Sequence, residues 1–553
     1  MQRESGNMLV KKKDGRFSKE NISKWWPWIA VGVILVFVAA IRIRLLQIPL
    51  ERDEGEFAYM GQLMLQGIPP YLLAYNMKLP GIYAAYALVM AIFGQTIAGI
   101  HLGLMIVNAI AIVLLFLLTR RLFDDIAAVV AAASYALLSL SPSVLGTSAH
   151  ATQFIVPLAL GGTILLLKSL DSGKYLMLFI SGLLYGLAFT MKQHAVFFIA
   201  FAVLYFIWIT LRTRWFDLKR LAGGTGVLIF ACATPFVVSC ALLYAAGVFS
   251  KFWFWTFTYA SQYVSEIPLS EAKQSFMRFA PMAINPWGLL WVIAGIGLSA
   301  ILWNKAARSK WLFLTGMALF SFLTICPGFY FRSHYFVTML PTVGLLAGVA
   351  MSAMMRFLLD RKLAPPVQIL PILVIAGALI GPTIILSDFF FRATPVQACR
   401  MMYGINIFPE SIKIAEYIKN HSTKDDKIAV LGSEPQIYFY ANRKSATGYI
   451  YVYGLMEPQD YASKMQIELT QEVEKAHPKY IVFVNSSTSW VLRANSDKTI
   501  FGWAQRYLDI NYRTTGFVDI PRKGNSRAYW DDEARIRRPK SPFNVYLLER
   551  KED

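Results

Sequence analysis

The chain has 553 residues, 56% of them hydrophobic and only 16% charged, with a net charge of +20. That is too apolar for soluble domains of ordinary make-up, and it predicts an α-helical polytopic membrane protein. Before the last third, most basic residues sit in short clusters between apolar runs, which is how helices are oriented in a bilayer; membrane lipids, and no nucleic acid, are the expected partners.

A basic tail over residues 1–24 carries Lys11, Lys12 and Lys13. The apolar run that follows, residues 25–46, is too long for a signal peptide and reads as an uncleaved first membrane helix. Further runs of bilayer length begin near Ala98, Ile126, Thr152, Tyr175, Val196, Ala222, Trp287, Trp311, Tyr335 and Val367, which makes about 11 crossings. With the tail in the cytoplasm, alternation puts Arg120 and Arg121, Lys168 and Lys174, Arg212 with Arg214, Lys219 and Arg220, Lys305 with Arg308 and Lys310, and Arg356 with Arg361 and Lys362 all on the cytoplasmic side. The expected localisation is the plasma (inner) membrane, multi-pass, with everything after about Phe391 on the periplasmic or extracellular face. The four cysteines form neither a disulfide framework nor a metal-ligand spacing.

The last segment, residues 392–553, has another texture. A helix over 409–420, a strand over 427–432, a helix over 458–476, and strands over 480–485 and 544–548 predict a small α/β domain. Its Gly432-Ser433-Glu434-Pro435 stretch lacks the glycines of a dinucleotide loop, so no nucleotide cofactor is indicated.

Just beyond the first membrane helix the chain reads ERDEGEFAYMGQLMLQGIPP, residues 51–70. Phe57, Met60, Leu63 and Met64 recur at helical spacing, which predicts a short amphipathic helix lying in the interface plane, ended by Gly67 with Pro69 and Pro70. Asp53 with Glu56 is a plausible capping pair, but capping leaves Glu54 idle. Several cations stand at outer helix ends, where orientation gives no reason for them: Arg42, Arg44, Lys78, Lys192 and Arg332. Arg42 and Arg44 are placed to snorkel or to pair with Glu51 or Glu54. Lys78, in a proline-limited turn, and Arg332, beside His334 and Tyr335, suggest an anionic ligand such as a lipid phosphate. A carboxylate there can take a proton from an acceptor while cations stabilise a departing phosphate.

The order of these motifs resembles a family. Asp53-Glu54 after the first membrane helix, Gly67-Ile68-Pro69, Lys78-Leu79-Pro80, then Phe93-Gly94, and later Arg332, His334, Tyr335 and Pro341 look like the GT-C fold membrane glycosyltransferases, in the branch of the dolichyl-phosphate-mannose protein mannosyltransferases and aminoarabinose lipid A transferases. The resemblance implies a GT-C transmembrane catalytic domain over residues 25–391 that passes a sugar, with inversion, from a polyprenyl-phosphate donor to a lipid, glycan or protein acceptor. It carries the base or acceptor ligand over to Asp53, a supporting acid to Glu54 and the donor phosphate contact to Lys78. Tyr59, Tyr83, His150, Gln153, Lys192, Arg332, His334 and Tyr335 complete the expected substrate-binding set, and the lipid tail is expected near Tyr83, Phe329 and Tyr335.

One departure stands out. Relatives often carry a second acid at the next outer loop, where this chain has GTSAHATQF with His150 and Gln153. That leaves metal use and the acceptor contact open. His150, His194 and His334 fall at one level, but their spacing is no metal motif, and no metal ligands are assigned. The alternative function class is a transporter or lipid-linked-sugar flippase, for which paired halves with broken helices near the midplane would be expected. A scaffold for envelope assembly would leave the acids and cations idle.

Overall fold

The computed structural model describes residues 19–212, 218–522 and 524–551. Lys11, Lys12, Lys13 and Arg214 lie outside the described residues. The chain runs through α1 (Lys19–Arg44), α2 (Arg52–Leu65), α3 (Pro80–Phe93), α4 (Ile97–Leu122), α5 (Asp125–Leu138), α6 (Ala151–Ser172), α7 (Tyr175–Met191), α8 (Val196–Leu211) and α9 (Leu218–Ala245), and later through helices Gly288–Trp303, Trp311–Leu323, Leu340–Asp360 and Pro365–Ile385. Each apolar run of the sequence is one of these helices. Only 7 helices among the described residues are long and apolar enough to cross a bilayer singly, or 8 if Leu269–Ile284 and Gly288–Trp303, bent by 109°, make one span. The protein is a multi-pass membrane protein. The remaining apolar runs form shorter helices, among them α5, α7 and Trp311–Leu323.

Small residues set the helix crossings. Gly344 and Gly348 of Leu340–Asp360 sit so close to the Ala131 and Ala127 carbonyls of α5 that a side chain at either would collide with backbone. The basic residues at the end of α1 are used internally. Arg42 donates to the carbonyls of Ser139 and Gly146, and Arg44 to those of Phe389, Phe390 and Ala393. Neither pairs with Glu51 or Glu54: carbonyls freed where helical turns end are nearer acceptors than the acids.

The C-terminal domain holds a six-stranded sheet of β1 (Lys427–Leu431), β2 (Lys444–Ser445), β3 (Tyr480–Asn485), β4 (Tyr512–Ile520), β5 (Arg527–Trp530) and β6 (Phe543–Arg550), in the order β2-β1-β3-β6-β4-β5. β2, β1 and β3 run parallel, with Ile428 opposite Tyr480. β6 is antiparallel to both β3 and β4, with Val482 opposite Leu547. The carboxyl end of β1, where open α/β sheets present loops, points its Gly432–Pro435 stretch at α2, whose Arg52 donates to the Ser433 carbonyl.

α2 departs from expectation. Its cap is Glu51, whose carboxylate accepts from the Glu54 amide at 2.9 Å while Glu54 reaches back to the Glu51 amide, so the capping box lies two residues before the expected Asp53 and Glu56 pair. Nor is one face of the helix left open, as a surface amphipathic helix would leave it. Arg52 and residues 54–63 are all buried, because α3 covers one side and helix Gln436–Ala441 of the C-terminal domain covers the other. Gly55 and Gly61 allow this: a Cβ at Gly55 would stand 2.6 Å from the Gln436 amide nitrogen, and one at Gly61 2.9 Å from the Ala87 amide nitrogen of α3. Asp53, partly exposed, is the one residue of the first two turns left open.

Candidate active site

The capping box is what aims Asp53. With Glu51 and Glu54 turned back onto the helix start, the residue between them projects outward from the first turn of α2. Its carboxylate Oδ2 lies 3.8 Å from Lys78 Nζ and 3.8 Å from His150 Nδ1. Two chambers meet at this point. The first is lined by Asp53, Asn76, Lys78, Arg332, His334 and Tyr335, and walled by aromatic rings. The second shares Asp53, Arg332, His334, Tyr451 and Tyr453 and adds His150, Tyr403 and the apolar Phe279 and Met282.

The electrostatics keep Asp53 charged. Burial alone would raise its pKa, but Lys78, His150, Lys192 and Arg332 together hold it below the usual aspartate range. Lys78 stays protonated because Asp53 and Glu56 outweigh its desolvation. Lys192 goes the other way. Burial and then repulsion from Lys78 push its pKa well down, and its ammonium lies 3.8 Å from the centre of the Tyr335 ring. Burial pushes the pKa of Glu51 well up, aided by Asp53 and Glu54, so the acid nearest Asp53 does not compete for the cations.

The structure brings Asp53, Lys78, His150, Lys192, Arg332, His334 and Tyr335 together. The other expected residues are elsewhere. Glu54 is fully buried behind the helix, taking the Ala149 amide at 2.6 Å and facing His101 Nε2 at 3.0 Å. Tyr59 stacks on Tyr438 and accepts the Ser445 amide at 2.7 Å, in the seam with the C-terminal domain. Tyr83 is 0% exposed and donates to Glu56 at 2.8 Å, which leaves it no surface with which to line a lipid channel. Gln153 is buried against the Gly146 carbonyl. Their polar atoms serve packing within and between elements of the fold.

The set of three histidines does not assemble either. His194 Nδ1 lies 2.8 Å from the Thr324 carbonyl, and Asp53 takes its place: Asp53, His150 and His334 offer ligand atoms that all lie within 4.8 Å of one another. The two imidazoles stack with centroids 4.2 Å apart. Burial lowers the pKa of both, which keeps them neutral, and neither ring nitrogen of His150 has a hydrogen-bond partner among the described residues. Two neutral imidazoles and a carboxylate are a donor set that suits a divalent cation such as zinc.

Several residues lining the chambers were not anticipated: Trp255, Tyr259 and Tyr263 before Leu269–Ile284, and Tyr451, Tyr453 and Glu457 from the C-terminal domain. The alternation in Tyr451-Val452-Tyr453 is a visible signal, but nothing local says which face of the membrane unit it will meet.

Residues 78–238 match the family described as dolichyl-phosphate-mannose-protein mannosyltransferase. An undecaprenyl phosphate-alpha-4-amino-4-deoxy-L-arabinose arabinosyl transferase of Pseudomonas aeruginosa is 26% identical over 291 residues, 48% of this chain and 49% of the relative. The match thus spans about half the length of that curated relative. Crystal structures of ArnT from Cupriavidus metallidurans in the apo state (TM-score 0.56, 16% identity, 95% of this chain and 98% of that one) and of the oligosaccharyltransferase of Archaeoglobus fulgidus (TM-score 0.57, 14% identity, 92% and 75%) are similar over nearly the whole chain. The fold is that of the GT-C glycosyltransferases. In this chain, as the capping geometry shows, Asp53 is presented by a helix clamped between α3 and helix Gln436–Ala441 of the C-terminal domain.

Proposed function

We propose that the protein is an inverting glycosyltransferase that moves a sugar from a polyprenyl-phosphate donor to a lipid, glycan or protein acceptor at the outer face of the membrane. The observation that carries the reading is the position of Asp53, a charged carboxylate on the wall between two chambers with Lys78 and Arg332 at its side. Of proteins with this fold, ArnT from C. metallidurans has been crystallised bound to undecaprenyl phosphate, and the A. fulgidus oligosaccharyltransferase with a dolichol-phosphate.

In this reading the donor phosphate meets Lys78 and Arg332, and the acceptor enters from the second chamber. Asp53 takes the proton of the acceptor O–H or N–H as that atom bonds to the anomeric carbon. The bond from that carbon to the phosphate oxygen breaks on the opposite side of the ring, and the two cations hold the charge that collects on the phosphate. Asp53, His150 and His334 are also a donor set for a divalent cation, which would occupy the Asp53 lone pairs that the proton transfer uses. Residues 25–391 would form the catalytic membrane unit and 392–553 the periplasmic or extracellular domain, with the N-terminus in the cytoplasm of the inner membrane, as the positive clusters require.

A transporter is less well served. The paired cavities lie where the helices meet the C-terminal domain, and charge is gathered there instead of along a path through the bundle. The deciding experiment supplies the purified protein with polyprenyl-phosphate sugars and follows release of free polyprenyl phosphate, in the wild type and in Asp53→Asn. Movement of a lipid or solute across vesicles with no turnover of any donor would overturn the transferase reading.

A further inference from the structure

Resting on the transferase reading, we propose that the first chamber is the donor's sugar subsite, and that Tyr451, Tyr453 and Glu457 of the C-terminal domain select the monosaccharide carried on the polyprenyl phosphate.

Three features separate this chamber from its neighbour. It alone contains Lys78, the cation paired with Asp53, so a phosphate held by Lys78 leaves its attached sugar in this space or at its edge. Trp255 and Tyr259 line it and not its neighbour, and with Tyr451 and Tyr453, which the two chambers share, they make its walls aromatic. Flat rings with electron-rich faces suit the C–H face of a pyranose or furanose, while the second chamber offers apolar Phe279 and Met282 to a larger acceptor. Third, a polar group is fixed at its margin. Glu457 Oε2 accepts from the Tyr259 hydroxyl at 2.7 Å, which orients the carboxylate and leaves its second oxygen for a hydroxyl or ammonium on the sugar.

Two of these selecting residues, Tyr451 and Tyr453, are linked to the base. Tyr451 packs edge-on against Tyr453 with centroids 4.8 Å apart, and the Tyr453 ring lies 5.4 Å from the guanidinium carbon of Arg52, the residue before Asp53. Arg52 is anchored in turn to the Ser433 carbonyl at 2.7 Å and to Glu434 at 2.9 Å. A sugar that seats correctly against the two tyrosines therefore touches the same body that holds the head of α2. The C-terminal domain is a wall of the reaction chamber, and its Tyr451–Glu457 segment can differ among chains without altering the acid or the cations.

The test uses the full-length protein in lipid nanodiscs. Binding of bare undecaprenyl phosphate is compared with binding of the same lipid carrying glucose, mannose or 4-amino-4-deoxyarabinose. The wild type should bind at least one sugar-bearing lipid about tenfold more tightly than the bare one. Tyr451→Ala and Glu457→Gln should bring that ratio close to one while bare-lipid affinity stays within about twofold, which also shows that the variants fold. Lys78→Ala should weaken both lipids alike. A preference that persists in both variants, or a wild type that binds bare and sugar-bearing lipids equally across the panel, would overturn the subsite. Failure of the wild type to bind any of these lipids would instead remove the donor reading on which it rests.

Discussion

Asp53 and Lys78 face each other across 3.8 Å at the meeting of two chambers, although one opens α2 and the other closes the turn before α3. The pair is too long for a tight hydrogen bond, so carboxylate and ammonium each keep positions with which to meet a substrate. Asp53→Asn keeps the side chain's shape and removes the proton acceptor. Transfer should fall by about 10²–10⁴-fold, the usual contribution of a positioned base, with donor affinity nearly kept. A donor turnover assay beside a binding measurement separates the two; equal losses in both would mean that Asp53 binds the donor and is not the base.

Lys78→Ala should do more than weaken donor binding. Lys78 is the strongest of the cations that offset the effect of burial on Asp53 and keep its pKa below the ordinary range. Without it the carboxyl rises, so Asp53 takes up its proton at a higher pH and the acid limb of the kcat profile moves toward neutrality. An acid limb that stays where the wild type has it would show that Lys78 does not set the charge of Asp53.

How much of this was legible beforehand depends on the range of the interaction involved. The eleven apolar runs were readable because each is a local property of consecutive residues, and so were Asp53, Lys78, Arg332, His334 and Tyr335, since charge placed against the orientation pattern is visible in one dimension. The cap of α2 was displaced because Asp53-x-x-Glu56 and Glu51-x-x-Glu54 both satisfy the spacing, and only burial of Glu54 against His101 and Ala149 chooses between them. Tyr59 and Tyr83 were expected at the substrate and instead fill seams, a distinction that rests for Tyr59 on Ser445, 386 positions away, and for Tyr83 on how α3 packs against Glu56 of α2. Tyr451 and Glu457 escaped notice for the same reason: the sheet that carries them docks on α2 through Arg52 and Glu434, 382 positions apart.

The zinc-compatible set gives a third test. A cation bound by Asp53, His150 and His334 would draw on the lone pairs that Asp53 needs as a base. Added zinc should therefore inhibit transfer, and His334→Ala should relieve the inhibition while its own zinc-free rate is measured as the reference. Activation by zinc in the wild type, lost in His334→Ala, would contradict this.

The seam between α2 and the C-terminal domain can be probed at Gly55. A methyl group there would meet the Gln436 backbone at 2.6–2.8 Å, a collision that backbone cannot relieve by turning a side chain. Gly55→Ala should cost about 1–3 kcal/mol in stability, as overpacking commonly does, and should lower turnover by shifting the head of α2. Glu434→Ala strands the buried guanidinium of Arg52 beside it and should act in the same direction. Melting curves of the purified variants check both; unchanged stability in Gly55→Ala would mean that the two bodies part easily.

Glu56, one turn along from Asp53, carries a pH dependence whose sign follows from its surroundings. Burial pushes its pKa from 4.5 up to about 8, against the pull of Lys78 and of hydrogen bonds donated by Tyr83 and by Asn76 Nδ2 at 2.5 Å, with Asp53 adding to the rise. Below 4.5 the group is protonated in both folded and unfolded chains. Between 4.5 and about 8 the folded chain holds a proton that the unfolded chain has released, so stability declines as pH rises through this window, and the loss is complete above it. Glu56→Gln imitates the protonated form, with one donor and one acceptor for the same two neighbours. Its melting temperature should match the wild type near the acid end and exceed it increasingly toward pH 8. Because Asn76 also gives its side-chain oxygen to the Met77 amide at 2.6 Å, the same titration reaches the turn that presents Lys78. A difference between the two proteins that does not change with pH would show that Glu56 keeps one protonation state throughout.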